Sequence, residues 1–476
     1  MAMPNFSGKK KKGLKELSEE NFKEVKITTN DIDSEFKQET TETLAVEDGQ
    51  ETTKEELDAR KLREIVRLSF LNKYVNIDEV KPTIKETLPD GTISEVENPN
   101  YEIFKGNEGV TDISYNGKDL FVQDNQIGRY KPSDAEQPTE KEIAKLMRQI
   151  ASIQGKSFNV AEPILDTELA GLRINAVHRA VSPFGCTMAL RVSRPYLAIN
   201  DTSVLAKSPV IKLLEILMEA DENLIISGIT GSGKTELQKV LVGFIPQSRK
   251  ITLIEDTMDS HIKALYPEKD INSWRTLLSD SRQKKITFTD LIKAGLRNNP
   301  DRLLISEIRG SDAYDFLESA LTGHSVLTTI HADGAEAIPS RLRNMIGQDR
   351  EVNPLLLGQD IVKHLRFGLH MEMTMNSEGK IIRRIREIVE FMDYTEKGVV
   401  FNNLYKVQKI YNPPTKEKPE GYYEEKYITN PVSIRTANAL KNKEIYHKLP
   451  KIYQREYAEQ LKQKKASPSP KKASPK

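Results

Sequence analysis

Apolar positions along the chain follow two successive rhythms between polar ends. From Asp58 onward Leu62, Ile65, Val66, Leu68 and Leu71 recur at three- and four-residue spacing, which predicts a helix opening the folded part. Turn signals follow at Pro82, Pro89–Asp90–Gly91 and Pro99. Strands are expected at Val110–Ser114 and Leu120–Gln123, joined by a hairpin turn at Asn116–Gly117. Lys131–Glu140 reads as a polar loop, Lys141–Ile153 as an amphipathic helix, and Leu172–Val177 and Met188–Val192 as further strands. These elements predict a small α+β domain over residues 58–200. The rhythm then changes to alternation. Helices are expected at Val210–Met218, Glu236–Phe244, Phe288–Arg297 and Tyr314–Leu321. Between them lie apolar runs at Leu224–Ser227, Ile251–Ile254, Leu303–Ser306 and Val326–Ile330. Strands alternating with helices predict an α/β domain with a parallel, helix-covered sheet over residues 201–410. Residues 381–410 close it as β-strands with a turn at Lys397–Gly398.

The two ends read differently. Residues 1–57 are rich in Lys, Glu, Thr and Asp without an apolar period and are expected to be a disordered charged tail. Residues 411–476 form a Pro-, Lys- and Tyr-rich C-terminal extension, with some helix near Lys451–Gln463 and a low-complexity Ser-Pro-Lys end at Lys464–Lys476. At 476 residues the chain has room for two or three domains. Its 71 Lys and Arg balance 70 Asp and Glu, for a formal charge of +1, which excludes a globally basic nucleic-acid coat. Cys186 is the single cysteine, so an internal disulfide and a multi-cysteine zinc site are excluded, and a cytoplasmic location is expected. No apolar run approaches the roughly 18 residues of a membrane span, and Lys9–Lys12 are followed by no apolar signal region. Membrane association is therefore expected to be peripheral and through partners.

The strongest chemical signal is Gly228-Ile229-Thr230-Gly231-Ser232-Gly233-Lys234-Thr235, the full phosphate-loop pattern between an apolar strand and an amphipathic helix. Gly228, Gly231 and Gly233 let backbone amides of the loop, Thr230 and Ser232 included, curl around phosphate oxygens. The helix N-terminus adds partial positive charge. Lys234 reaches the β- and γ-phosphates, and the Thr235 hydroxyl suits Mg²⁺. The expected ligands are thus ATP and Mg²⁺. Two acidic clusters end neighbouring strands. One is Glu255-Asp256-Thr257-Met258-Asp259, where either Asp259 or Glu255 is positioned to orient water. The other ends at Glu307, which would contact the metal beside Thr235. In Gly323–Ala332, His331 reads equally as a γ-phosphate sensor and as a structural histidine, and His324 more as structural.

In combination these segments resemble the secretion traffic ATPases, the superfamily of type II and type IV secretion, conjugation and type IV or Tad pilus assembly. Four boxes in order carry the likeness: Gly228–Thr235, the aspartate box Ile254–Asp259, the Walker B strand Leu303–Glu307, and the histidine box Gly323–His331. The resemblance implies a RecA-like C-terminal domain, a separate N-terminal domain, nucleotide held between them, and a homo-hexameric ring. It implies that N-terminal arginines reach the phosphates, and the matching positions are Arg173 and Arg191. It also implies inner-membrane secretion or pilus proteins as partners, and indirect association with transferred DNA. Asp259 departs from the family, which usually carries Glu at that position, one methylene longer. The single cysteine excludes the four-cysteine module of the longer type II enzymes and favours the conjugation or Tad branch. A conjugative ring motor is the leading expectation. Pilus assembly, a DNA-translocating or packaging motor, and a non-hydrolysing nucleotide-gated scaffold are the alternatives.

Overall fold

In a computed structural model the described residues are 54–75 and most of 109–459, with isolated short strands at 46–47, 50–51, 83–87 and 93–97. The rest of the tail expected over 1–57, the turn signals at Pro82, Pro89–Gly91 and Pro99, and the Ser-Pro-Lys end lie outside them.

The first unit begins with helix α1 (Lys54–Arg67). Leu62 and Val66 are buried; past the helix end Leu68 is 80% exposed, while Leu71 returns to the core from a 3-10 turn at Phe70–Lys73. Strands β1 (Val110–Tyr115), β2 (Leu120–Asp124) and β3 (Gly128–Tyr130) follow. The Asn116–Gly117 turn forms as expected. Asn116 Oδ1 accepts from the amides of Lys118 at 3.0 Å and Asp119 at 2.8 Å, and Gly117 takes the left-handed φ of 98° that a side chain would resist. Helix α2 (Glu140–Ile153) starts at a capping box in which Thr139 and Glu142 exchange hydrogen bonds, and it buries Ile143, Leu146, Met147 and Ile150 along one face. Strands β4 (Ile164–Leu169), β5 (Leu172–Val177) and β6 (Thr187–Val192) complete an antiparallel sheet of order β3-β2-β1-β6-β5-β4. Period-two alternation sends Leu172, Ile174, Met188 and Leu190 into the core and leaves Arg173 and Arg191 on the outer face.

The second unit starts with helix α3 (Ser208–Glu219) and strand β7 (Leu224–Gly228). Helix α4 (Lys234–Phe244) leads to β8 (Ile251–Glu255) and β9 (Ile271–Arg275). Helix α5 (Phe288–Arg297), β10 (Arg302–Ile305), helix α6 (Asp312–Leu321) and β11 (Ser325–Ile330) continue the alternation. Helices α7 (Ile338–Asp349) and α8 (Pro354–His364) lead to β12 (Phe367–Met375) and the long strands β13 (Ile381–Thr395), β14 (Gly398–Asn412) and β15 (Tyr422–Thr429). The nine strands run β9-β8-β10-β11-β7-β12-β13-β14-β15, parallel through β12 and antiparallel beyond it. This is the expected α/β, RecA-like sheet. Strand β7 sends Leu224 and Ile226 into one core cluster and Ile225 into another, because helices cover both faces.

The expected boundary at 410 falls inside β14. Helix α9 (Ile434–Asn442) and the residues Val432, Leu440, Leu449 and Tyr453 pack into the same core as β7, so the chain as far as Tyr453 belongs to this unit. The helix expected near Lys451–Gln463 is a 3-10 turn at Lys451–Tyr453 and a helical turn over 455–459, with the remainder outside the described residues. Among the described residues, no helix is long and apolar enough to cross a membrane.

Candidate active site

Strand β7 delivers the phosphate loop to the crevice at the C-terminal end of the parallel sheet, where open α/β sheets bind ligands. Gly228, Gly231 and Gly233 have φ of 151°, 77° and 93°, conformations that side chains disfavour. A Cβ on Gly228 would stand 2.5 Å from Ser232 Oγ and 2.7 Å from the Met371 carbonyl. Lys234 opens α4 and folds back, its Nζ donating to the carbonyls of Gly228 at 3.0 Å and Ile229 at 3.2 Å. Burial lowers its pKa, against the charge of nearby Glu307. Ser232 Oγ is buried without a hydrogen-bond partner among the described residues, while Thr230, Gly231 and Thr235 are exposed at the loop's mouth. A curled backbone, a desolvated ammonium and an orphaned hydroxyl together fit a triphosphate.

Strand β11, which ends next to His331, separates β7 from β10, which leads to Glu307. Glu307 is the hub of a polar group. Its Oε1 lies 2.7 Å from His331 Nε2, and its Oε2 accepts from Arg309 Nε at 2.9 Å. Arg309 also donates to Asp256 Oδ2 at 2.9 Å, joining the Walker B and aspartate boxes. Burial, and then the charge of Lys234, hold His331 below its usual pKa. Lys234, Glu307 and His331 are thus brought together. Thr235 and Glu307 are the residues suited to a Mg²⁺ ion, which typically takes one or two protein oxygens and completes its shell with phosphate and water.

Glu255 and Asp259 sit in a second group. Glu255 is only 1% exposed, and burial pushes its pKa up to about 7, assisted by Asp259 and Glu168 and opposed by hydrogen bonds from Ser260. The Glu168 carboxylate on β4 faces the Met258 amide, and burial and then Asp259 raise its pKa. Ser193 Oγ donates to the Asp259 carbonyl at 2.6 Å and lies 3.0 Å from His261 Nε2.

Arg173 and Arg191 line a cavity of about 440 Å³ on the outer face of the N-terminal sheet, with Arg129, Asp112, Ser114 and Gln123. Arg191 is paired with Asp112 at 3.0 Å. Among the described residues no hydrogen bond joins Arg173 or Arg191 to the phosphate loop. Arg383 on β13 does make that connection, donating to the Gly231 carbonyl at 2.7 Å and to the Asn125 carbonyl of the N-terminal unit at 3.0 Å. Arg383 and Glu168 escape sequence reasoning because each acts across a long sequence separation, as does the bond from Arg309 to Asp256. Only Arg309 carried a signal, its position two residues after Glu307.

Residues 168–390 match the family model described as "Type II/IV secretion system protein". An uncharacterised protein of Bacillus anthracis is 33% identical over 366 residues, spanning 74% of this chain and 80% of the relative. The type IV secretion system protein VirB11 of Brucella suis is 30% identical over 170 residues, or 32% of this chain and 45% of VirB11. Among solved structures, the Legionella pneumophila ATPase DotB aligns with a TM-score of 0.45 at 20% identity, over 62% of this chain and 80% of DotB.

Proposed function

The chain belongs to the secretion traffic ATPases of the type II/IV family, and we propose that it is a Mg²⁺-dependent, homo-hexameric ring motor whose ATP hydrolysis drives conjugative DNA transfer by a type IV secretion machine. The observation that carries this reading is the phosphate loop in which Lys234 caps two carbonyls beside Glu307. In the substrate complex the β- and γ-phosphate oxygens replace those carbonyls as acceptors for Lys234, a stronger, charge-assisted pairing. Gly228–Gly233 supply backbone amides, and the Ser232 hydroxyl gains the acceptor it lacks. Thr235 and Glu307 would hold a Mg²⁺ ion, which would neutralise charge on the triphosphate. Arg309 holds the Glu307 carboxylate in place, and His331 lies alongside it at 2.7 Å. Glu255 is buried and tied to the Ser260 amide, so orientation of the attacking water is assigned to Asp259.

Arg173 and Arg191 close over the γ-phosphate when the N-terminal unit swings toward the loop, and they release it after hydrolysis. The partners are inner-membrane secretion proteins at the cytoplasmic face, and the contact with transferred DNA is indirect.

Phosphate release from Mg·ATP by the purified chain tests this reading, together with sizing in Mg·ATP and transfer frequency in a complemented strain. Lys234→Ala should abolish turnover and transfer while unfolding as cooperatively as the parent. Wild-type turnover in that variant would overturn the assignment.

A further inference from the structure

The aspartate-box loop between β8 and the following short helix Ile262–Leu265 is anchored by its own unit at its two ends. Arg309 holds Asp256 at 2.9 Å, and Glu255 Oε1 accepts from the Ser260 amide at 3.2 Å. His261 sits at φ 52°, in the left-handed region that most residues with a side chain avoid. The middle of the loop is held from outside. The Asp259 carbonyl accepts from Ser193 at 2.6 Å and the Met258 amide faces the Glu168 carboxylate, so both backbone neighbours belong to the N-terminal unit. Ser193 also meets the His261 ring at 3.0 Å, bracing the strained residue.

Register places these contacts beside the phosphate-sensing arginines. Glu168 pairs across β4 and β5 with Arg173, Arg173 pairs with Arg191 on β6, and Arg191 pairs with Asp112 on β1. The four form one cross-strand row of acid, base, base, acid. Direct neighbours in such a row stand about 5 Å apart at Cβ. Ser193 follows Arg191 by two positions along the same segment. A displacement of Arg173 or Arg191 within this hydrogen-bonded sheet therefore displaces Glu168 and Ser193 with it.

We propose that Glu168 and Ser193 are positioning residues through which the N-terminal unit sets the place of Asp259, so that water is oriented only when that unit is docked. The proposal rests on the ATPase reading above. It adds that the docked attitude of the N-terminal unit is itself a condition for cleavage. It also gives a physical role to the shortened acid. Asp259 reaches one methylene less far than Glu, so its carboxylate depends more strongly on where its backbone is held.

The test uses the full chain. Glu168→Ala and Ser193→Ala should each lower kcat about tenfold and leave KM for ATP within about twofold, because one backbone restraint is lost while the phosphate loop is untouched. Glu168→Gln and Ser193→Thr retain an acceptor and a hydroxyl, and should keep kcat within about twofold. In hydrogen exchange, the Met258 amide should open about tenfold faster in Glu168→Ala, with Leu303 and Leu304 of β10 unchanged. Unchanged kcat in both alanine variants, an equal loss in the conservative pair, or a rise in KM alone would overturn the proposal. If the wild-type chain releases no phosphate, the ATPase reading fails, and Met258 exchange still decides the clamp. Parent-like exchange there would overturn it.

Discussion

Glu255 is a carboxyl group buried at a strand end, and its replacement by the isosteric amide tests how the site handles charge. In Glu255→Gln the amide oxygen can still accept from the Ser260 backbone, so packing and the 3.2 Å hydrogen bond survive and only ionisation is removed. Desolvation raises the folded-state pKa from 4.5 to about 7. The sign follows from proton binding. Between these two values the folded chain holds a proton that the unfolded chain has lost, so stability falls as pH rises through that window and is level above it. Relative to the permanently neutral amide, the wild-type chain is destabilised by about 1 kcal/mol at pH 5 and by about 3 kcal/mol at pH 8. Urea unfolding of the nucleotide-free chain followed by far-UV circular dichroism should therefore show Glu255→Gln more stable, by a margin that roughly triples from pH 5 to pH 8. An equal margin at both pH values, or a less stable variant at pH 8, would refute the reasoning that Glu255 is a desolvated acid pushed toward neutrality.

Gly228→Ala should lose ATP binding in titration calorimetry and cost about 1–3 kcal/mol of stability, because the new methyl meets Ser232 Oγ at 2.5 Å and the Met371 carbonyl at 2.7 Å. Tyr453→Ala should destabilise by about 3–5 kcal/mol in urea unfolding, since the ring is fully buried in the core that contains β7. Tyr453→Phe should cost nothing measurable, because that hydroxyl is buried without a partner among the described residues.

The phosphate loop was legible because its backbone admits few sequences. Three positive-φ positions favour glycine, and Lys234 and Thr235 follow at the start of α4. Strands β7, β8, β10 and β11 were legible as unbroken apolar runs, the mark of burial on both faces. Strand β9 was not, because Ile271-Asn272-Ser273-Trp274-Arg275 is a mostly polar edge strand. In β12 every residue from Phe367 to Met371 is buried, so Gly368 and His370 interrupt a run that otherwise gives no period. The expected extension past 410 misled for a similar reason. Its core contacts come from scattered residues such as Val432, Leu440 and Leu449, which show no rhythm in the chain. The residues that join the two units were the least visible. Nothing local distinguishes Glu168 or Arg383 from any solvated charge, and their meaning comes only from partners about 90 and 150 positions away.

The nine-stranded sheet ends at β15, and no further strand lies beyond it among the described residues. A terminal strand offers its outer amides and carbonyls as a template for a foreign segment, and hydrophobic edges are where such proteins clump. Here Tyr422-Tyr423 and Tyr427-Ile428 are split by Glu424, Glu425 and Lys426, with Glu424 and Lys426 exposed. Those charges act as gatekeepers. Exchanging Glu424 and Lys426 for valine would turn a solvated border into a sticky one, and precipitation in concentrated stocks would follow even with the catalytic crevice intact.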